Sequence, residues 1–187
     1  MRTHQSTGRD VAMLIGGVAA GVVGSRLLPP LVAAATGWTR TGEDPFERLI
    51  RDHRQIMSIL DEMVATPAGS RVNRSRMFLM LKRKLAKHAM AEEDIVYPIL
   101  YAEGQTSQQS KHLYDEHADM KIFLFRLEEL LKSGEDWSEP ARALQNLVRR
   151  HVEEEEREVF PRLRQTLAQD RRPKISGQIR REEALIL

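Results

Sequence analysis

The sequence predicts an all-α fold: an antiparallel up-and-down four-helix bundle preceded by an extra apolar N-terminal helical segment. Three observations predict it. Apolar residues recur at three- and four-residue steps over four long segments, the breaks between them are short and carry glycine, proline or serine, and 41% hydrophobic with 30% charged residues suits a helix-rich globular chain. Aromatics make up only 5% of the 187 residues, and Met (8) with Leu supplies much of the apolar bulk. Four amphipathic helices with short connections bury their stripes by packing side by side.

The chain divides into three parts. Residues 1–43 form an apolar, glycine-rich extension. Its segment 11–38 has an uncharged run from Val11 to Ser25, short of the roughly 18–20 residues that span a bilayer, and is then interrupted by Arg26 and Pro29–Pro30. Arg2 and Arg9 precede the apolar core as they would in a secretory signal, but no well-placed cleavage site follows closely. Gly17 and Gly21 give this segment a small-residue face for close helix packing. Two readings stand: membrane association through residues 11–38, or docking on the bundle or on a second copy in a homo-oligomer.

Residues 44–168 form the bundle. Asp44-Pro45-Phe46-Glu47 is a helix start, with an N-cap aspartate, proline at the first helical position and an acid at the third. Leu49, His53, Ile56, Leu60 and Met63 then mark one face of a helix to about Val64, and Thr66-Pro67-Ala68-Gly69-Ser70 ends it. The second helix spans about Asn73 to Glu103, with Phe78, Leu81, Leu85, His88, Glu92, Ile95 and Ile99 on its stripe, until Gly104 breaks it. The third, about Thr106 to Lys132, carries Leu113, His117, Met120, Leu124, Leu127 and Leu131 and closes at Ser133-Gly134. The fourth starts near Ser138 and carries Leu144, Val148, His151, Glu155, Val159 and Leu163. Residues 169–187, charged and holding Pro173 and Gly177, read as a flexible tail.

Charge and cysteine content exclude several functions. The 29 basic residues are nearly matched by 27 acidic ones, for a formal charge of +2, so no nucleic-acid partner is expected. Cysteine is absent, which rules out disulfides, thiolate zinc sites, iron–sulfur ligation and cysteine nucleophiles. Any metal must be held by histidine and carboxylate, a donor set that suits iron, manganese or zinc.

The chemistry lies in the stripes. Each of the four helices places a histidine among apolar residues: His53, His88, His117 and His151. Polar groups at core positions are costly unless something binds them. Two of the histidines are followed four residues later by a glutamate, Glu92 and Glu155. Residues i and i+4 lie about 40° apart around a helix and about 6 Å apart along it, so both side chains aim at one place. An internal repeat sharpens the pattern. The run from His88 to Leu100 aligns without gaps to the run from His151 to Leu163, sharing the histidine, two adjacent acids, a valine, an aromatic ring, a proline and the leucine; Asp52-His53 is matched by Glu116-His117. Two similar helical hairpins related by a pseudo-twofold axis place two equivalent half-sites at one level of the core. Glu93 and Glu156, about 140° from their histidines, are expected to face solvent with Glu153 and Glu154. Asp52 and Glu116 are given no role, and His112, five residues before His117, points elsewhere. Tyr114, three residues before His117, is read as a packing residue at the edge of the site.

This H…HxxxE…H…HxxxE order over about residues 44–168 resembles the hemerythrin-like (HHE) family, as do the DH/EH dipeptides and the EExxxxP segments. The resemblance implies a four-helix bundle around two non-haem iron ions with an oxo or hydroxo bridge. His53 and His88 would hold one iron, His117 and His151 the other, with Glu92 and Glu155 bridging. Oxygen-carrying hemerythrins have a fifth histidine one turn before the third-helix ligand and a final aspartate five residues after its histidine; here Leu113 and an HxxxE pair stand at those places. The four-histidine set is more similar to the hemerythrin-like domain of iron-centre repair proteins and bacterial stress proteins. It implies binding or reduction of O2, NO or peroxide in stress response or sensing, with open positions on both metals; whether such reduction is catalytic stays open, and no separate catalytic or organic-cofactor residues are expected. The alternative is an iron storage or donor protein for iron-centre repair. The expected location is the cytoplasm, at the membrane if residues 11–38 anchor there.

Overall fold

The computed structural model describes residues 44–67, 69–102 and 107–186. The apolar segment 11–38, with its membrane and docking readings, lies outside them, as does the break at Gly104. Among the described residues the chain is helical throughout, with no strand and no helix long and apolar enough to cross a membrane.

Helix α1 (Pro45–Ala65) begins as the sequence predicts. The Asp44 carboxylate accepts from the backbone N–H groups of Phe46 (2.8 Å) and Glu47 (3.3 Å), satisfying two of the donors a helix start leaves open. Its expected stripe, Leu49, His53, Ile56, Leu60 and Met63, is buried. Helix α2 (Arg71–Ala91) runs through a π-helical turn (Glu92–Val96) into α3 (Tyr97–Ala102). Helix α4 (Ser107–Ser133) ends at Gly134, whose φ of 80° lets its N–H turn back to the Leu130 carbonyl at 3.0 Å. Helix α5 (Ser138–Glu154) runs through a second π-helical turn (Glu155–Val159) into α6 (Phe160–Thr166). A single 3-10 turn (Gln169–Arg171) leads to α7 (Arg172–Leu185).

The two π turns are a departure from the uninterrupted helices expected from periodicity. Each precedes a proline, Pro98 or Pro161, which lacks an N–H and crowds the carbonyl four residues back in an α-helix. The wider turn, in which the Tyr97 N–H bonds the Glu92 carbonyl and the Phe160 N–H the Glu155 carbonyl, relieves that crowding. It also takes up one extra residue and so rotates the downstream helix by about 100°. On the second helix the expected Ile95 and Ile99 are therefore only half-buried, while Val96, Tyr97 and Leu100 are fully covered.

Helix α1 packs on α2 and α5, and α4 packs on α5 and α2, which closes a ring of four long helices. The flexible tail expected over residues 169–187 is not what forms at 172–185. Helix α7 lies against α2, α1 and the first π turn, burying Ile175 and Ile179, and the Glu183 carboxylate accepts from the Arg48 guanidinium of α1. Two isoleucines four residues apart give it an apolar face that the charged composition of the segment hides. The apolar interior forms two clusters. One holds Phe46, Leu49, Tyr97, Leu113, Phe160, Ile175 and Ile179; the other holds Ile56, Leu60, Phe78, Leu81, Leu127, Trp137 and Leu144. The histidines lie between them in sequence on every long helix.

Candidate metal centre

The structure brings together all six residues that the sequence analysis singled out. His53, His88, His117 and His151 are buried, and Glu92 and Glu155 are completely so. The His53 and His88 rings stand 4.6 Å apart, and the His117 and His151 rings 4.7 Å, so the two hairpins build matching halves. His53, His88, Glu92 and Glu155 each bring one ligand atom within 4.8 Å of the others, and Glu92, His117 and His151 do the same. Both glutamates reach both halves. Glu92 is 3.1 Å from His88 Nε2 and 3.5 Å from His117 Nε2, while Glu155 is 3.2 Å from His53 Nε2 and 3.4 Å from His151 Nε2.

Around this centre the structure adds residues that spacing within one helix did not find. Glu93 and Glu156, expected to face solvent, turn instead to the neighbouring helix: Glu156 accepts from His53 Nδ1 at 2.8 Å and Glu93 from His117 Nδ1 at 2.9 Å. An angle of about 140° puts a side chain on the flank of a helix, and here the flank adjoins another helix rather than water. Glu116, given no role, accepts from His151 Nδ1 at 2.8 Å. A carboxylate only accepts, so each of these bonds places a proton on Nδ1 and makes Nε2 the nitrogen that faces the centre. Asp52, the counterpart of Glu116, is one methylene shorter and pairs with Lys84; neither ring nitrogen of His88 has a hydrogen-bond partner.

Tyr97 is the residue missed outright. In an unbroken helix it lies about 180° from His88, and the π turn swings it inward. Its buried hydroxyl donates to Glu155 Oε1 at 2.8 Å and lies 3.2 Å from His117 Nε2. Its repeat counterpart is Phe160, whose ring stacks on His53 with centroids 5.8 Å apart. The repeat alignment carried the only available signal, an aromatic at both positions. Tyr114 packs edge-on against Tyr97 and donates to the Glu93 carbonyl at 2.6 Å, an anchoring contact for the π turn. His112 is exposed beside Glu116 and Glu154, away from the centre.

The electrostatics describe a site with more negative charge than protein donors can satisfy. Burial and then the Glu155 charge push the Glu92 carboxyl up to about 8. Burial works the same way on Glu155, but the charges of His151, His53 and His88 outweigh it and hold that carboxyl well below the usual range. Burial alone depresses a histidine; at His53 the Glu155, Glu156 and Glu92 carboxylates overcome it and raise the pKa, and at His151 the Glu155 charge and Glu116 do. His88 and His117 stay lowered, chiefly by burial. Protons shared among the histidines and Glu92 balance the charge in the protein alone. Even so, His53 Nε2, His88 Nε2, both Glu92 oxygens and Glu155 Oε2 are buried without a hydrogen-bond partner. Each such atom costs on the order of 1–3 kcal/mol. Converging imidazole nitrogens and carboxylate oxygens with no protein partner fit hard or borderline cations.

A helical bundle with a buried histidine–carboxylate cluster of this kind has the donor set of a cation-binding protein. The family model for the hemerythrin HHE cation-binding domain matches residues 44–163, and the chain belongs to that family. A relative from Nostoc sp. (strain PCC 7120 / SAG 25.82 / UTEX 2576), a DNA nickase, is 28% identical over 122 residues, which cover 64% of this chain and 33% of the relative. The chain thus spans about a third of that relative's length. No solved structure matches the chain significantly.

Proposed function

We propose that this chain is a non-haem di-iron protein that binds or reduces a small ligand, O2, NO or peroxide, in stress response or sensing. The observation that carries the reading is the convergence of His53, His88, Glu92, His117, His151 and Glu155, with Glu92 and Glu155 within reach of both histidine pairs. His53 and His88 would hold one iron, His117 and His151 the other, and the two glutamates would bridge. The same reading takes the ring of helices as an antiparallel up-and-down four-helix bundle, supported by the contacts of Asp52 with Lys84 and of Thr66 with Met77 along α1 and α2.

A bound iron pair supplies Lewis acidity and one-electron exchange to a small ligand. The chain's own residues do the rest. Glu156, Glu93 and Glu116 hold three imidazoles in the tautomer and orientation that present Nε2. The Tyr97 hydroxyl fixes Glu155 and is a proton donor beside His117. Leu113, fully buried one turn before His117, supplies no fifth imidazole and keeps that flank apolar. Because Glu92 carries a proton near neutral pH in the protein alone, cation binding releases it.

Metal analysis with anaerobic spectra before and after adding O2, NO and peroxide tests the proposal. Two irons per chain and near-ultraviolet bands that respond to at least one of the three ligands are expected. One tightly held zinc with no iron, or irons indifferent to all three, overturns it. The DNA nicking named for the Nostoc relative is said of that protein; with a formal charge of +2, this chain has little electrostatic pull toward DNA.

A further inference from the structure

A cavity of about 330 Å³ runs from the four imidazoles along the gap between α2 and α4. Its walls are apolar, built by Leu85 and Ala89 of α2, Met120 and Leu124 of α4, and Val148 and Val152 of α5. The outer rim carries Lys82, Lys121 and Glu128, together with Phe125, which is 65% exposed. Both lysines already have carboxylate partners: Lys82 donates to Glu128 at 2.6 Å and Lys121 to Glu93, outside the cavity, at 2.8 Å.

The space is far larger than a diatomic or peroxide ligand needs. It is roughly ten times the ~30 Å³ share of one water, and an apolar cavity of about 150 Å³ already accepts benzene. It is also elongated. The seven steps from Lys82 to Ala89 rise about 10 Å along α2, close to the length of an extended eight-carbon chain. Apolar walls and paired rim lysines disfavour an ion and favour a neutral molecule whose apolar body removes wall area from water. We propose that this cavity binds a neutral, mainly apolar organic molecule of about eight to ten carbons, with one end against the imidazoles. The inference goes beyond the di-iron reading and does not depend on it, because the walls belong to the protein itself.

Titration of the full chain with 1-octanol, by calorimetry and in both iron-free and iron-loaded forms, tests it. One octanol per chain is expected, with a Kd of about 0.1–1 mM in the iron-free form. 1-Butanol and octanoate are expected to bind at least about tenfold more weakly, the first for want of apolar area and the second for its charge. Two independent fillings, Ala89→Leu and Val152→Phe, are expected to weaken octanol binding about tenfold or more in whichever variant keeps its helical circular-dichroism signal. Absence of octanol binding in the iron-free chain overturns the proposal, as does equal affinity in the wild type and a folded filled variant, or octanoate binding as tightly as octanol. Failure of the chain to take up iron would sink the di-iron reading and leave the iron-free titration standing.

Discussion

Tyr97 and Phe160 occupy matching places in the two hairpins, and only one carries a hydroxyl. The two halves of the centre are thus alike in their histidine pairs and unlike in what surrounds them. Phe160 demonstrates that a phenyl ring is accommodated at this register, so Tyr97→Phe is expected to fold and to bind the same metal complement as the wild type. It should cost about 1 kcal/mol in urea unfolding of the metal-free protein, from the lost bond to Glu155; an unchanged unfolding midpoint would mean the hydroxyl does nothing for that carboxylate. The carboxylates behind the histidines act differently. Glu93 is held down to about 2 by its bond to His117, against burial and with help from Lys121, so it is ionised near neutral pH. Glu93→Gln is expected to weaken metal binding about 10–100-fold, read by competition with a chelator, because the amide can present either its oxygen or its NH2 group to Nδ1 and no longer fixes the tautomer. Asp52, too short to serve His88 as Glu116 serves His151, leaves one imidazole of the four without such support.

At the scale of elements, the two π turns and α7 do what an ideal amphipathic helix would not. Each π turn sits between a glutamate of the centre and a proline, and rotates the aromatic ring after it onto a histidine. Helix α7 covers the outer side of α1 and α2 behind His53 and His88, with Glu183 paired to Arg48 and the Lys84–Asp52 pair close enough to influence its carboxyl. Ile179 is fully buried there. Ile179→Ala is expected to cost about 2–5 kcal/mol of unfolding free energy by urea denaturation. A loosely attached tail would make that substitution neutral. Periodicity does not reveal the segment because its 14 residues are mostly charged or polar, and the isoleucines alone form a narrow stripe.

For the whole molecule, the buried centre links stability to pH and to metal. A carboxyl raised from 4.5 to about 8 favours the folded state fully below 4.5 and loses that contribution as pH rises through about 8. Metal-free wild type is therefore expected to fall progressively behind Glu92→Gln in thermal stability between about pH 4.5 and pH 8. With iron present the order reverses, since the ionised carboxylate is what the cation needs and a ligand bound only to the folded state stabilises it. Parallel melting curves at pH 5 and pH 8, with chelator and with iron, check both signs. The four long helices, the start at Asp44 and the six converging groups were legible in the amino-acid order, because each depends on angles around a single helix and on a repeat visible by alignment. The roles of Glu93, Glu116 and Glu156, the inward swing of Tyr97 and the docking of α7 were decided only by the tertiary structure. Spacing along one helix says which side a residue takes; what stands on that side, water or the flank of another helix, is set by how the helices pack and by where the backbone widens to admit a proline.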